Sequence, residues 1–330
     1  MGTTFINAQL RDVVWDGADL TEAKLERAQL GRVDWRTVNL NRAHLDSVDL
    51  KNAQLQGVSL EGASLKDAML EEADLSDAHL TGADLTGSSL NRTSLSRARL
   101  SLAILKGCSL IETDLTGTLL DQADLSSAEI SRATFVETKL GRASLNNSRL
   151  SDLTLREIEA VEASFEGARF TNIELVNSTL TRTSFKGSDL KGLNLDLVRF
   201  SEVNFNGADL SDISFAHLSL EGGNLSEAKL TNADFTSTNA RGVNFDKADL
   251  RGAKLHQTDL IGATLTNADL TGASFDGADL GGVSLDHAHL DEVKMNSSDL
   301  SGVRFTQGSA RRSVWTDVNL KGAVLEQIDF

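Results

Sequence analysis

Every fifth residue of this chain is apolar. From Phe5 to Phe330 all 66 multiples of five are hydrophobic, with no insertion or slip. Most are Leu, and all 13 Phe and all 3 Trp residues fall on this beat. The residue two places earlier is small or aliphatic, as at Ala8, Ala78, Val203 and Ala278. The residue between them is usually polar, as at Asp19, Ser89 and Asp279. A helix cannot use this period, because five steps of about 100° displace the apolar stripe by roughly 140° at each repeat. A continuous strand fails too, since an odd period sends successive Leu residues to opposite faces. A short extended segment followed by a bend, every five residues, satisfies the pattern.

Glycine marks the bend. Of 26 Gly residues, 21 stand two places after the central apolar residue, including Gly17, Gly82, Gly207 and Gly277, and Asn7, Asn52, Asn232 and Asn267 share that slot. A type II turn needs positive φ there, which Gly and Asn accept most readily. Other repeats carry Arg, Asp or Glu in the slot, so a second turn type is expected beside the first.

A chain that bends identically every five residues closes into a coil and stacks on itself. Bulk recurs every twenty residues: Trp15, Trp35 and Trp315 share one class modulo 20, and Phe165, Phe185 and Phe205 share another. Four bends per coil follow. The Ala residues on the central beat, Ala160, Ala240 and Ala310, have Phe or Trp close by on the same beat: Phe165 and Phe170, Phe235 and Phe245, Phe305 and Trp315. A narrow interior needs such compensation to stay close-packed. About sixteen coils at a strand spacing of about 4.8 Å would make a rod of about 80 Å. Residues 1–330 are expected to form a single continuous domain, because a solenoid grows by adding repeats.

The pattern A(D/N)LXX, as in "NADLTGASFDGADL", resembles the pentapeptide-repeat family along the whole chain. The resemblance implies an all-β fold, a right-handed quadrilateral parallel β-helix. It also implies a function for some members: acidic rods that bind DNA gyrase as DNA mimics and confer resistance to quinolones or peptide toxins. Those mimics dimerise through a C-terminal helix and carry loops that interrupt the repeat. Here "NLKGAVLEQIDF" keeps the register to Phe330, and nothing interrupts it.

The net charge of −16 argues against nucleic acid or anionic membrane as a direct ligand. No apolar run approaches the roughly 18 residues that cross a bilayer. One Cys excludes a disulfide framework, and a reducing, cytoplasmic location is expected. Charge also limits DNA mimicry: 80 Å of duplex would carry roughly 47 charges, about three times the net charge here.

Catalytic motifs are missing. No phosphate loop or nucleophile elbow is present, and no cofactor is expected. The pair His287 and His289 beside Asp286, Asp291 and Glu292 is a weak metal pattern. Cys108 holds an inward slot and reads as a core thiol. "SDLTLREIEAVEASF", from Ser151 to Phe165, puts large Leu153 and Ile158 in the small slot, so locally adjusted coils are expected there.

Surface columns are the informative places, since residues twenty apart should stack. Asn204, Asn224 and Asn244 suggest an amide ladder. Asp259, Asp279 and Asp299, with neighbouring Asp249 and Asp269, form acidic columns. Their plain reading is a solvated carboxylate bonded to nearby backbone; their functional reading is a cation site or an imitation of a phosphate row. Arg92, Arg97, Arg99 and Lys106 form a basic band, and Leu102, Ile104 and Leu119 point outward beside it as a candidate partner patch. The sequence therefore points to a non-enzymatic acidic rod that binds protein or serves as a scaffold. DNA mimicry directed at DNA gyrase or another type II topoisomerase is the alternative. Both termini lie in register, so end-to-end pairing of two copies, or truncation of a larger chain, is a further expectation.

Overall fold

A computed structural model describes residues 3–10, 13–30 and 33–330. Its contacts divide the chain into two compact units, Met1–Ala168 and Arg169–Phe330. Each unit is a parallel β-solenoid, and no helix occurs among the described residues. None is therefore long and apolar enough to cross a membrane.

The coil repeat is twenty residues. In the first unit Thr4 pairs with Lys24, Lys24 with His44 and His44 with Ser64, all parallel. In the second, Asp189 pairs with Asp209, Asp209 with Lys229 and Lys229 with Asp249. Most extended segments are single bridges. Longer strands form in the first unit at β1 (Ser109–Ile111), β2 (Glu129–Ser131), β3 (Phe135–Val136) and β4 (Arg149–Arg156). The second unit has β5 (Arg169–Val176), β6 (Thr179–Thr181), β7 (Asn194–Asp196), β8 (Arg199–Ser201), β9 (Arg304–Thr306) and β10 (Val324–Glu326). Strand β2 pairs in parallel with β1 and β4, β5 with β7, and β9 with β10, in the same twenty-residue register.

One pentapeptide accounts for its own backbone. Around Leu85, Asp84 N–H donates to Ala63, Leu85 to Ile104 and Gly87 to Lys106, all in neighbouring coils, and Ser88 closes the corner on Leu85. Four of five N–H groups are thus satisfied by main chain. The fifth belongs to the first corner residue, Thr86, and the Asp84 carboxylate accepts it at 3.0 Å. A buried or half-buried N–H left unpaired is costly, so the chain favours Asp or Asn just before the central residue.

The corners are more uniform than composition suggests. The second corner residue has positive φ whether it is Gly262 (φ 70), Glu22 (φ 60) or Arg42 (φ 57). A second corner form exists, in which the strand runs into the corner, ending just before Arg132 and Gln307 and continuing through Asp152 and Asn172. These extended corners carry non-glycine residues, but so do many ordinary ones. The slot's identity therefore permits the second form without determining it. Around Ser151–Phe165 the register holds: Leu153 and Ile158 are buried, and β4 passes straight through the corner at Asp152.

The core is a stack of like residues. Trp15 lies on Trp35 with ring centroids 5.9 Å apart, Phe185 on Phe205 at 5.2 Å and Phe215 on Phe235 at 5.3 Å. Each pair is twenty residues apart, as the bulk classes predict. Cys108 is buried, its thiol donates to the Leu85 carbonyl at 2.9 Å, and burial pushes its pKa up to about 12. That thiol is core.

Candidate functional site

The fifth N–H of each pentapeptide organises the surface, because different residues cap it in different places. Where Asp or Asn precedes the central residue, it caps its own corner. Where Ser, Lys or Arg stands there, the preceding coil can supply the acceptor. Asn41 accepts from Glu61 N–H at 2.9 Å and Ser59 Oγ at 2.7 Å. Asn91 does the same for Ile111 and Ser109, and Asn146 for Glu166 and Ser164. Asp276, Asp286 and Asp291 reach Asn296, Thr306 and Arg311. These staples tie one coil to the next. Their sequence signal, Asp or Asn eighteen residues before a Ser, recurs at Asp46 and Ser64, but only the three-dimensional register gives it meaning.

The acidic columns stack as expected. Asp259 pairs with Asp279, Asp279 with Asp299, and Asp249 with Asp269, each half-buried. Every one of these carboxylates caps a corner: Ile261 N–H at 3.2 Å on Asp259, Gly281 at 3.0 Å on Asp279, Ser301 at 2.8 Å on Asp299. Thr271 bonds Asp269 through N–H and hydroxyl, and Arg251 bonds Asp249 through N–H and guanidinium. Two arginines reduce the charge: Arg241 meets Asp259 at 2.7 Å, and Arg251 lies 2.7 Å from Asp249 and 3.7 Å from Asp269. The backbone N–H and hydroxyl of Ser301 hold the Asp299 carboxyl below its ordinary range, and the Arg251 guanidinium does so for Asp249. The bonding to nearby backbone is the plain reading of these columns.

The asparagine column corrects an expectation. Asn204, Asn224 and Asn244 stack in register, but their oxygens accept the N–H groups of Asn206, Ser226 and Asp246. The corner N–H takes one acceptor site of each oxygen, and the second goes to a hydroxyl, Ser226 on Asn224 and Thr264 on Asn244, not to a neighbouring amide.

The basic band is partly neutralised. Arg92 pairs with Glu72 at 2.8 Å and Arg97 with Asp77 at 2.7 Å, one coil earlier. Arg99 and Lys106 have no carboxylate within ion-pair distance among the described residues and are exposed. Leu102 sits at the corner with φ 64 and is 54 % exposed; Ile104, on the next face, is 38 % exposed. Leu119 is half-buried and stacks on Arg99 across one coil. The patch thus wraps a corner, with Leu102 between the faces that carry Leu119 and Ile104. His289 bonds Ser309 Oγ at 3.2 Å, and no group of three or more metal-ligating side chains occurs among the described residues.

The profile of the pentapeptide repeats matches this chain in eight copies, over residues 1–36, 36–67, 68–107, 108–152, 161–196, 194–232, 228–267 and 268–307. The chain belongs to the pentapeptide-repeat family. Among solved members it is similar to HetL, a pentapeptide repeat protein involved in heterocyst differentiation regulation from the cyanobacterium Nostoc sp. strain PCC 7120. The two are 28% identical over 83% of this chain and 90% of HetL, with a TM-score of 0.20. It is also similar to QnrB1, a plasmid-mediated fluoroquinolone resistance protein, at 18% identity over 67% of this chain and 93% of QnrB1, with a TM-score of 0.24. No curated protein sequence matches the chain. Where a corner N–H of this chain is capped, the acceptor comes from its own coil or the one before.

Proposed function

We propose that this pentapeptide-repeat protein is a non-enzymatic scaffold that binds a protein partner in the cytoplasm. The observation that carries the reading is the corner at Leu102, where two large apolar side chains, Leu102 and Ile104, stand exposed together beside the exposed Arg99 and Lys106. Exposed apolar patches with a polar rim are the usual mark of a contact surface. The chemistry-bearing groups are engaged elsewhere: Cys108 in the core, the columnar carboxylates at corner N–H groups. The test is in-cell crosslinking with the wild type and a Leu102→Asn, Ile104→Thr variant. A specific partner should be captured by the wild type and lost by the variant. Capture unaffected by the variant would remove this surface from the reading.

The acidic columns favour a second reading, a DNA mimic directed at DNA gyrase. Asp279 and Asp299 keep carboxylates without an ion pair among the described residues, one coil apart, with Asp259, Asp249 and Asp269 beside them. Gyrase supercoiling, measured with the wild type and the Asp259/Asp279/Asp299→Asn variant at two salt concentrations, tests it. Inhibition should weaken with salt and in the variant, as contacts to phosphates do. No effect of the wild type on gyrase would end this reading.

Two structural proposals accompany the first. Leu320, Leu325 and Phe330 are exposed around a cavity of about 360 Å³ with Ala310 and Trp315, which suits end-to-end pairing of two copies. Sedimentation of a monomer at high concentration would remove it. The unbroken register from Phe5 to Phe330 supports folding as one continuous domain, tested by a single thermal transition.

A further inference from the structure

The ladder of the second unit opens at one level. From Arg169 to Ser309, each residue just before the central beat pairs with the residue twenty places on, except Asn194 and Arg199. The main chain shows the same gap. Phe215, His217 and Leu220 donate their N–H groups to Asp234, Thr236 and Asn239 in the next coil. Their counterparts one coil earlier, Leu195, Leu197 and Phe200, have no main-chain acceptor in the next coil, and the N–H groups of Ser214 and Ser219 do not reach back to Leu193 and Val198. The preceding coil is attached normally, through β5 with β7 and β6 with β8. Two adjacent faces are therefore unzipped, while the other two hold, at Asp189 with Asp209 and at Asn204 with Asn224.

The slot two places before the beat gives the cause. In bonded coils it is small, as in the stack of Ala208, Ala228, Ala248 and Ala268. At the open level Leu193 stands twenty residues from Ile213 and Val198 twenty from Leu218, so branched side chains stack on two neighbouring faces. Ile173 and Leu193 are as large, and the ladder from Glu174 to Asn194 is intact, but there the neighbouring column pairs Val198 with Ser178. Phe200, Phe205 and Phe215 fill the interior beside them, with ring centroids 5.7, 6.2 and 5.9 Å apart. Extra volume in a filled interior is relieved by backbone displacement. The slit reaches the core: Leu195 and Leu218 are half-buried, whereas every residue on the beat from Leu210 to Phe305 is fully buried. Leu197, at the corner between the two open faces, is 69 % exposed.

We infer that this level is a hinge. The Asn194–Arg199 and Ser214–Ser219 edges part and close about the two bonded faces, and opening presents Leu195 and Leu218 beside Leu197. Two effects oppose each other there. Closure gains main-chain hydrogen bonds and compresses four branched side chains; opening reverses both. A level balanced in this way opens locally, below the free energy of global unfolding. The hinge lies in the second unit and is independent of the contact surface at Leu102 in the first.

The test reads amide hydrogen exchange by NMR on the full chain. Leu195, Leu197 and Phe200 should exchange at least a hundredfold faster than Phe215, His217 and Leu220. Ile213→Ala with Leu218→Ala gives both columns the size found in bonded coils. This variant should slow the three seam amides at least tenfold and keep or raise the thermal midpoint, although such truncations ordinarily destabilise a core. Val293→Ala, at a level where the ladder is closed, should lower the midpoint and serves as the control. Motion is read by Asn194→Cys with Ser214→Cys, since closure brings the two positions to strand spacing, within disulfide reach. Mild oxidation should join them and slow the same amides, as it should join Asp189→Cys with Asp209→Cys on a bonded face; Cys108 is buried in the first unit. Equal exchange of the two sets of amides would overturn the hinge. So would a double-Ala variant whose seam amides stay unprotected, or a 194–214 pair that fails to oxidise while the 189–209 pair does.

Discussion

Phe235 and Phe245 meet edge to face across the coil interior, with ring centroids 5.7 Å apart and planes at 85°. Ala240, midway between them in sequence, is fully buried. The two rings fill the space that a third large side chain would need, as expected from the position of Ala among aromatics. Ala240→Leu should therefore cost about 1–3 kcal/mol through overpacking. Leu60→Ala, at a buried site flanked by Leu55 and Leu65, should instead cost about 2–5 kcal/mol through a cavity. Chemical denaturation measures both, and a stabilising Ala240→Leu would refute the volume argument.

Gly308 answers to the same interior. It occupies an inward slot, and a Cβ there would collide with Cε2 of Phe305 and with the Ala288 carbonyl oxygen. Its backbone is not left-handed, so sterics alone exclude a side chain. Gly308→Ala should cost about 1–3 kcal/mol. In a Phe305→Leu background the ring clash is absent, so the added cost of Gly308→Ala should shrink. Strict additivity of the two changes would place the strain on the Ala288 carbonyl alone.

Acid should loosen the caps in a defined window. Burial works against ionisation of Asp286, but bonds from Thr306 and Arg304 outweigh it, and the carboxyl stays below its ordinary value of 3.8. The Arg36 side chain lowers Asp34 to about 2. A carboxyl depressed in the folded state contributes stability above its unfolded pKa and loses it as pH falls through the folded one. The urea midpoint should show no loss from these groups between neutral pH and the ordinary carboxylate range, then decline below 3.8. Asp286→Asn keeps an acceptor for Thr306 and should flatten that decline.

The repeat made the fold readable because a five-residue beat admits few chain geometries, and the aromatic classes at Trp15 and Trp35 or Phe185 and Phe205 set the coil length. Leu102 and Ile104 were readable as outward-facing from the same register. The caps were less accessible. Whether Asp46 or Asp84 caps a corner depends on which residue stands eighteen or two positions away, a relation visible only after coils are stacked. The amide ladder at Asn204, Asn224 and Asn244 failed for a local reason: the corner N–H groups and, at Asn224 and Asn244, hydroxyls of Ser226 and Thr264 bond the oxygens. The corners at Asp152 and Asn172 show the complementary limit, since a positive φ is common to both bend forms.

The cap also separates charge from shape in the acidic columns. Asp259, Asp279 and Asp299 lie in one stack, and each accepts a corner N–H. Replacing all three by Asn retains the acceptor at every corner and removes like charges held one strand spacing apart. It also removes the Asp259 pairing with Arg241, an exposed contact worth about 0–1 kcal/mol. Stability should therefore change little or rise. Replacing all three by Ala leaves three corner N–H groups without their acceptor, at about 0.5–1.5 kcal/mol each. Denaturation midpoints of the two triple variants read the difference directly. The expected order places the Asn variant at or above wild type and the Ala variant clearly below. If the two variants were equally destabilised, the carboxylates would be stabilising through charge, and the corner hydrogen bonds would contribute nothing measurable.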